Sequence, residues 1–286
     1  MNQKLTHIAI FILSILSFSA LATSVADDSR VSIPFQVING LIIVEAEIDN
    51  EVGNYIFDTG AEELILNKEV SSGKTMFSSI NGDIATEEVS INLLRIGNLT
   101  HSKIKAYSAD LGSMESYLNI SLHGVIGCNL FIPRKIKIDF TTNEITLSDT
   151  GDLTTGRDDY VSFEMMDGVP VCPVTVSGNE YLFGFDTGAT MHVLDQKILS
   201  NIQESLSETG LDTYVTTGTG EKTVNKILAL DQFDMGNTII KSAHFLSQDL
   251  EAFNQSMERP ISGVLSLTAL QSDDIVIDLQ AKRIYF

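Results

Sequence analysis

The pentapeptide Phe-Asp-Thr-Gly-Ala occurs twice in this chain, in YIFDTGAEELIL (residues 55–66) and in LFGFDTGATMHVL (residues 182–194). The two aspartates, Asp58 and Asp186, lie 128 residues apart. Apolar residues flank both copies. Ile56, Phe57, Leu64, Ile65 and Leu66 would anchor the first loop in a core, and Phe185, Val193 and Leu194 the second. The triplet alone means little. A third copy, Asp149-Thr150-Gly151, sits among polar residues in LSDTGDLTTGRDD and reads as a surface loop.

The repetition extends far beyond the pentapeptides. Eighteen residues before Asp58 is Gly40, and eighteen before Asp186 is Gly168. Each follows an Asn or Asp between two β-rich runs, a strong hairpin signal. A second turn is expected near Asn50–Asn54 and Ser177–Glu180, followed by the strand that delivers the aspartate. Downstream, Gly97 and Gly236, Gly127 and Ser266, and Asp139 and Asp278 all share an offset of 139. The second half therefore holds 11 extra residues between Asp186 and Gly236. The insertion is expected in QKILSNIQESLSE (residues 196–208). There Ile198, Ile202 and Leu206 recur every fourth residue and predict a short amphipathic helix.

Self-similarity of this kind means two copies of one supersecondary unit. Short strands broken by Gly, Asn and Asp turns, with no alternating βαβ pattern, make each copy mostly β. The expected class is all-β. Two similar β-barrel lobes, residues 27–150 and 151–286, should be related by approximate two-fold symmetry with a cleft between them.

Residues 1–26 read as a secretory signal peptide. Lys4 precedes the apolar run IAIFILSILSF, and Ala20-Leu21-Ala22 or Ser24-Val25-Ala26 offers a cleavage site. A retained anchor would need a longer run than residues 8–22. The expected product is exported, periplasmic or secreted, with no membrane span after signal removal. A net charge of −20 argues against nucleic acid or an anionic membrane as partner. Cys128 and Cys172 could form one bridge in an oxidising compartment, or remain buried thiols. The histidines show no metal-ligand spacing, and His192 reads as structural. No metal or other cofactor is expected, and no G-x-S-x-G nucleophile motif is present.

Two-fold symmetry would set each Asp-bearing loop against its twin. Two carboxylates about 3 Å apart share one proton, because both cannot ionise comfortably. One then serves as base toward water, the other as acid toward a carbonyl oxygen. Gly60 and Gly188 would let the loops approach. Thr59 and Thr187 could hydrogen-bond across the interface.

FDTGA written twice, each followed at a distance by an apolar-apolar-Gly segment, resembles the pepsin/retropepsin aspartic proteases. The small halves, and Ala61 and Ala189 after the glycines, resemble retropepsins. Fusion in one chain resembles pepsin. The closest description is a compact bacterial single-chain form. The resemblance implies an aspartic endopeptidase acting as a monomer on peptide or protein substrates, with Asp58 and Asp186 as the catalytic pair. It implies that Val125-Ile126-Gly127 packs over the first loop and Val264-Leu265-Ser266 over the second, with Ser where Gly is usual. It implies a flap hairpin at residues 79–91 with its tip near Asn81, Gly82 and Asp83. The counterpart in the second half is residues 216–224. Pepsins carry a flap Tyr, and residues 76–100 contain none. Glu62 falls where retropepsins bind substrate main chain; it reads equally as a solvated surface charge. The rival function is a non-catalytic peptide- or protein-binding protein on the same scaffold, favoured by Ser266 and the missing Tyr.

Overall fold

The structure is a computed structural model that describes residues 30–70, 75–149, 153–154, 156–216, 222–267 and 273–286. The expected signal peptide lies outside the described residues. The first lobe runs β1 (Val31–Ile38), β2 (Leu41–Ile48), β3 (Glu51–Asp58), β4 (Leu64–Asn67), β5 (Thr75–Phe77), β6 (Ile84–Ile96), β7 (Leu99–Ala109), α1 (Gly112–Leu118), β8 (Leu122–Gly127), β9 (Lys135–Asp139) and β10 (Glu144–Ser148). The second runs β11 (Tyr160–Ser162), β12 (Glu164–Met166), β13 (Val169–Val176), β14 (Asn179–Asp186), β15 (His192–Asp195), β16 (Leu206–Thr216), β17 (Lys222–Met235), β18 (Thr238–Gln248), α2 (Glu251–Asn254), β19 (Gly263–Ser266), β20 (Asp274–Asp278) and β21 (Arg283–Tyr285).

Strand pairing repeats between the lobes. In the first, the ring β2-β3-β8-β4-β7-β6 closes through β2–β6. In the second, β13-β14-β19-β15-β18-β17 closes through Thr175↔Asp234. Four two-residue turns set the hairpins, each with positive φ at both positions: Asn39-Gly40, Asp49-Asn50, Asp167-Gly168 and Ser177-Gly178. Such turns match the right-handed twist of the strands they join. The second turn of the first lobe thus falls at Asp49-Asn50, just ahead of the expected Asn50–Asn54, and β3 begins at Glu51.

A third layer joins the lobes. The strands run β11-β21-β20-β9-β10-β1, three from each lobe, and meet at the antiparallel pair β9–β20. Alternation gives this pair two faces. Ile136 and Ile138 lie opposite Ile277 and Ile275, all fully buried. On the other face Lys137 bonds Asp139 and Asp274, and Lys135 bonds Asp278. The repeat reaches the turns beyond: Asp139 Oδ1 accepts the amides of Thr141 and Thr142, and Asp278 Oδ1 those of Gln280 and Ala281.

The expected helix over residues 196–208 is not formed. Two 3₁₀ segments, Gln196–Asn201 and Gln203–Ser205, occupy its place, and Leu206 opens β16. Asp195 accepts the Lys197 amide at 3.2 Å and starts the first turn. Successive tight turns still bury Ile198 and Ile202, which is what the four-residue spacing requires.

Candidate active site

β3 and β14 each end on an aspartate, and each has a parallel neighbour from its own lobe. Asp58 pairs with Gly127 of β8, and Asp186 with Ser266 of β19. The two FDTGA loops leave these strands and abut across the lobe junction. Thr59 N donates to Thr187 Oγ1 at 2.9 Å, and Thr187 N to Thr59 Oγ1 at 3.0 Å. Each hydroxyl then donates onward, Thr59 to Phe185 O (3.2 Å) and Thr187 to Phe57 O (2.9 Å). Four reciprocal bonds between buried groups fix the loops relative to each other.

The glycines are required by this approach. A Cβ on Gly60 would lie 2.5 Å from Asp186 Cγ, and one on Gly188 would lie 2.4 Å from Asp58 Cγ. Each glycine is thus the floor beneath the opposite carboxyl. Each also steadies its own aspartate: Gly60 N donates to Asp58 Oδ1 (2.7 Å) and Gly188 N to Asp186 Oδ1 (2.6 Å). Asp58 is 4% exposed and Asp186 1%. Burial raises both carboxyls above the ordinary range, and the charge of Asp58 raises Asp186 much further. The two buried acids ionise as a coupled pair, and the charge of one opposes ionisation of the other, so the pair is built to share one proton.

Ala61 and Ala189 are buried one step past the glycines. Ala61 leads into an apolar cluster with Phe77, Tyr107, Leu111 and Met114, and Ala189 into another with Met166, Val215, Leu250 and Ile261. These clusters stand apart from the main core and flank the dyad.

Glu62 is only 8% exposed, which removes the solvated-charge reading. Its Oε1 accepts Asn129 Nδ2 at 2.9 Å. Its side chain lies under the β12–β13 turn of the other lobe, where a Cβ on Gly168 would fall 2.6 Å from Glu62 Cβ. The symmetric contact, Gly40 against Thr190, is looser at 3.8 Å. Glu62 therefore builds the lobe junction.

At Gly127 a Cβ would meet Ala61 O at 2.6 Å and Glu63 O at 2.5 Å, so only Gly fits. Its counterpart Ser266 stands beside a second departure from the repeat. His192, which stands where the first lobe has Leu64, accepts the Ser266 amide on Nδ1 at 3.0 Å. The Ser is fully buried and in register with Asp186.

The first-lobe flap is the β5–β6 hairpin, with Phe77↔Ile84 as its last pair. It starts at Thr75, earlier than the expected 79–91. Ser79 Oγ donates to Gly82 O (2.7 Å) and Ser78 Oγ to Asp83 Oδ1 (3.0 Å). Asp83 is exposed, but Ile80 and Asn81 are buried against the second lobe. Gln248 Nε2 donates to Ile80 O and to Asn81 Oδ1. Gln248 carried no signal of its own in the sequence; its visible mark is a break in the repeat, since Ala109 holds the equivalent place in the first lobe. The tip of the second-lobe counterpart, residues 217–221, lies outside the described residues. Cys128 and Cys172 are buried free thiols, both raised to about 12 by burial. Among the described residues no cluster of three or more His, Cys, Asp or Glu could hold a metal ion.

Two six-stranded lobes with paired Asp-Thr-Gly loops at their junction define the acid-protease architecture. Residues 172–269 match the family model described as Aspartyl protease. The chain also matches the crystal structure of aspartic proteinase from Irpex lacteus, at 15% identity and a TM-score of 0.56. The alignment covers 90% of this chain and 96% of that one. A comparison with curated protein sequences gave no match. The family match thus lies within the second lobe, while the shared fold extends over both.

Proposed function

We propose that the protein is an aspartic endopeptidase that hydrolyses peptide bonds with water activated between Asp58 and Asp186. One observation carries this reading. Each loop's glycine lies under the other loop's carboxyl, which holds two buried acids in contact where they must share a proton. A binding protein has no need of such an arrangement, because buried like charges cost stability.

The chemistry follows from the unequal pair. Asp58, the charged member, takes a proton from water as the water oxygen bonds to the scissile carbonyl carbon. Asp186 gives its proton to the carbonyl oxygen in the same step, so no charge builds on that oxygen. The resulting tetrahedral diol collapses when the proton now on Asp58 passes to the leaving nitrogen. The C–N bond breaks, and the second hydroxyl proton returns to Asp186. The threonine bonds keep both carboxyls in place throughout. The substrate is a peptide or protein, and the expected setting is extracytoplasmic, periplasmic or secreted, with the chain acting as a monomer.

The test is a mixed peptide library incubated across about pH 3–7 with wild type, Asp58→Asn and Asp186→Asn. Cleavage lost in both variants, and blocked in wild type by a statine-type transition-state mimic, is the expected result. Cleavage that survives in both variants would sink the mechanism. A folded wild type that cleaves nothing would return the non-catalytic reading.

A further inference from the structure

An apolar cluster of the second lobe, beside the dyad, holds one residue from the first lobe. Ile80, at the tip of the β5–β6 hairpin, packs in one apolar cluster with Met166, Val171, Ala189, Val215 and Leu250 of the second lobe. Ala189 is three residues from Asp186, so this cluster borders the dyad. Beside the buried side chain, the peptide carbonyl of Ile80 accepts Gln248 Nε2.

Gln248 is 9% exposed, and its Oε1 meets no hydrogen-bond donor. Leaving a buried amide oxygen unsatisfied costs stability. No first-lobe equivalent explains its presence. Gln248 lies beside Asp195 in the β15–β18 register, as Ala109 lies beside Asn67 in β4–β7. A small apolar residue therefore suffices for the fold at this position.

We infer that Gln248 and the cluster around Ala189 form a substrate subsite for a branched aliphatic residue, and that Ile80 fills it in the resting protein as a stand-in for substrate. A bound peptide residue of this kind would reproduce both contacts, with its side chain in the cluster and its carbonyl on Gln248 Nε2. Its extended backbone would also offer an N–H that the hairpin does not supply to Gln248 Oε1. Substrate must displace Ile80, so the hairpin is both lid and competitor. Apparent affinity is then reduced by the fraction of time the subsite is self-occupied. The inference deepens the peptidase reading and rests on it for the nature of the ligand.

Two measurements on the mature chain test it. The first is amide hydrogen exchange in wild type and Gln248→Ala, the residue natural to the first lobe. Exchange over residues 76–86 should quicken about tenfold while β13 and β14 stay unchanged, because only local opening is eased. The second is calorimetric binding of statine-type peptides bearing leucine or glycine at each flanking position. Ile80→Ala should bind the best leucine peptide about tenfold more tightly than wild type, and the gain should vanish when that leucine becomes glycine. Unmoved hairpin exchange, or weaker leucine-peptide binding by Ile80→Ala, would overturn the proposal even if wild type cleaves peptides. Quickened exchange with no statine binding by either protein would overturn the substrate subsite along with the peptidase reading, and leave Gln248 as a structural latch.

Discussion

His192 holds the backbone amide of Ser266 on its Nδ1 at 3.0 Å, within the register that carries Asp186. To accept that bond the ring must be neutral at Nδ1. Burial pushes the imidazole down to about 4, with His244 adding repulsion. An unfolded histidine protonates near 6.5, so the unfolded state binds the extra proton first. The stabilisation is fully present above about pH 6.5 and is lost as pH falls toward about 4, amounting to roughly 3 kcal/mol. Thermal melts should show this acid loss in wild type. They should show much less of it in the double variant His192→Leu/Ser266→Gly, which copies the first lobe. An equal acid slope in both proteins would remove His192 as its cause.

The dyad has the opposite sign. Both carboxyls are raised in the folded state, so between their unfolded and folded values the native protein binds more protons. Their cost is present at neutral pH and fades as pH falls. Asp186→Asn should therefore melt higher than wild type at pH 7, by about 0.5–2 kcal/mol in stability, with the gain shrinking toward pH 4. Peptide turnover should drop by at least ~10³-fold, as expected when one member of a unit is removed. A variant less stable than wild type at pH 7 would show that the pair is not strained.

The working pH follows from Ala61 and Ala189. A hydroxyl at either position could donate to the neighbouring carboxylate and favour its charged form. Its absence predicts a pH–rate profile less acidic than that of pepsins. Ala61→Ser should move the acidic limb to lower pH. A wild-type maximum near about pH 2, in the range set by the pepsin pair, would contradict this.

Gly168 answers to two demands, a φ of +78° and the Glu62 side chain 2.6 Å from where its Cβ would be. Gly168→Ala should cost about 2 kcal/mol or more by chemical denaturation. In a Glu62→Ala background the same change should cost only about 1 kcal/mol, the conformational part. Additive costs in the double-mutant cycle would deny the contact across the lobes.

Much of this architecture was legible in the sequence. The offsets of 128 and 139 align β2–β4 with β13–β15 and β6–β10 with β17–β21, and the doubled FDTGA named both loops of the dyad. Turn chemistry placed the hairpins because Asn-Gly and Asp-Gly adopt positive φ cheaply. What repeats locally can be read locally. The helix over residues 196–208 failed for the complementary reason: a four-residue spacing states which side chains are buried, and 3₁₀ turns bury Ile198 and Ile202 as well as an α-helix would. The roles of Glu62, His192 and Gln248 lay beyond the sequence. Each is defined by a partner at least 67 residues away, Asn129, Ser266 and Ile80, and no spacing encodes such a contact. The sequence by itself determined that there are two lobes and two facing acids. Only the tertiary structure decided how the lobes interlock, which departures from symmetry compensate one another, and that the hairpin tip lies in the second lobe's apolar cluster. Those outcomes depend on close packing between distant segments, and packing is specified only when the whole chain is folded.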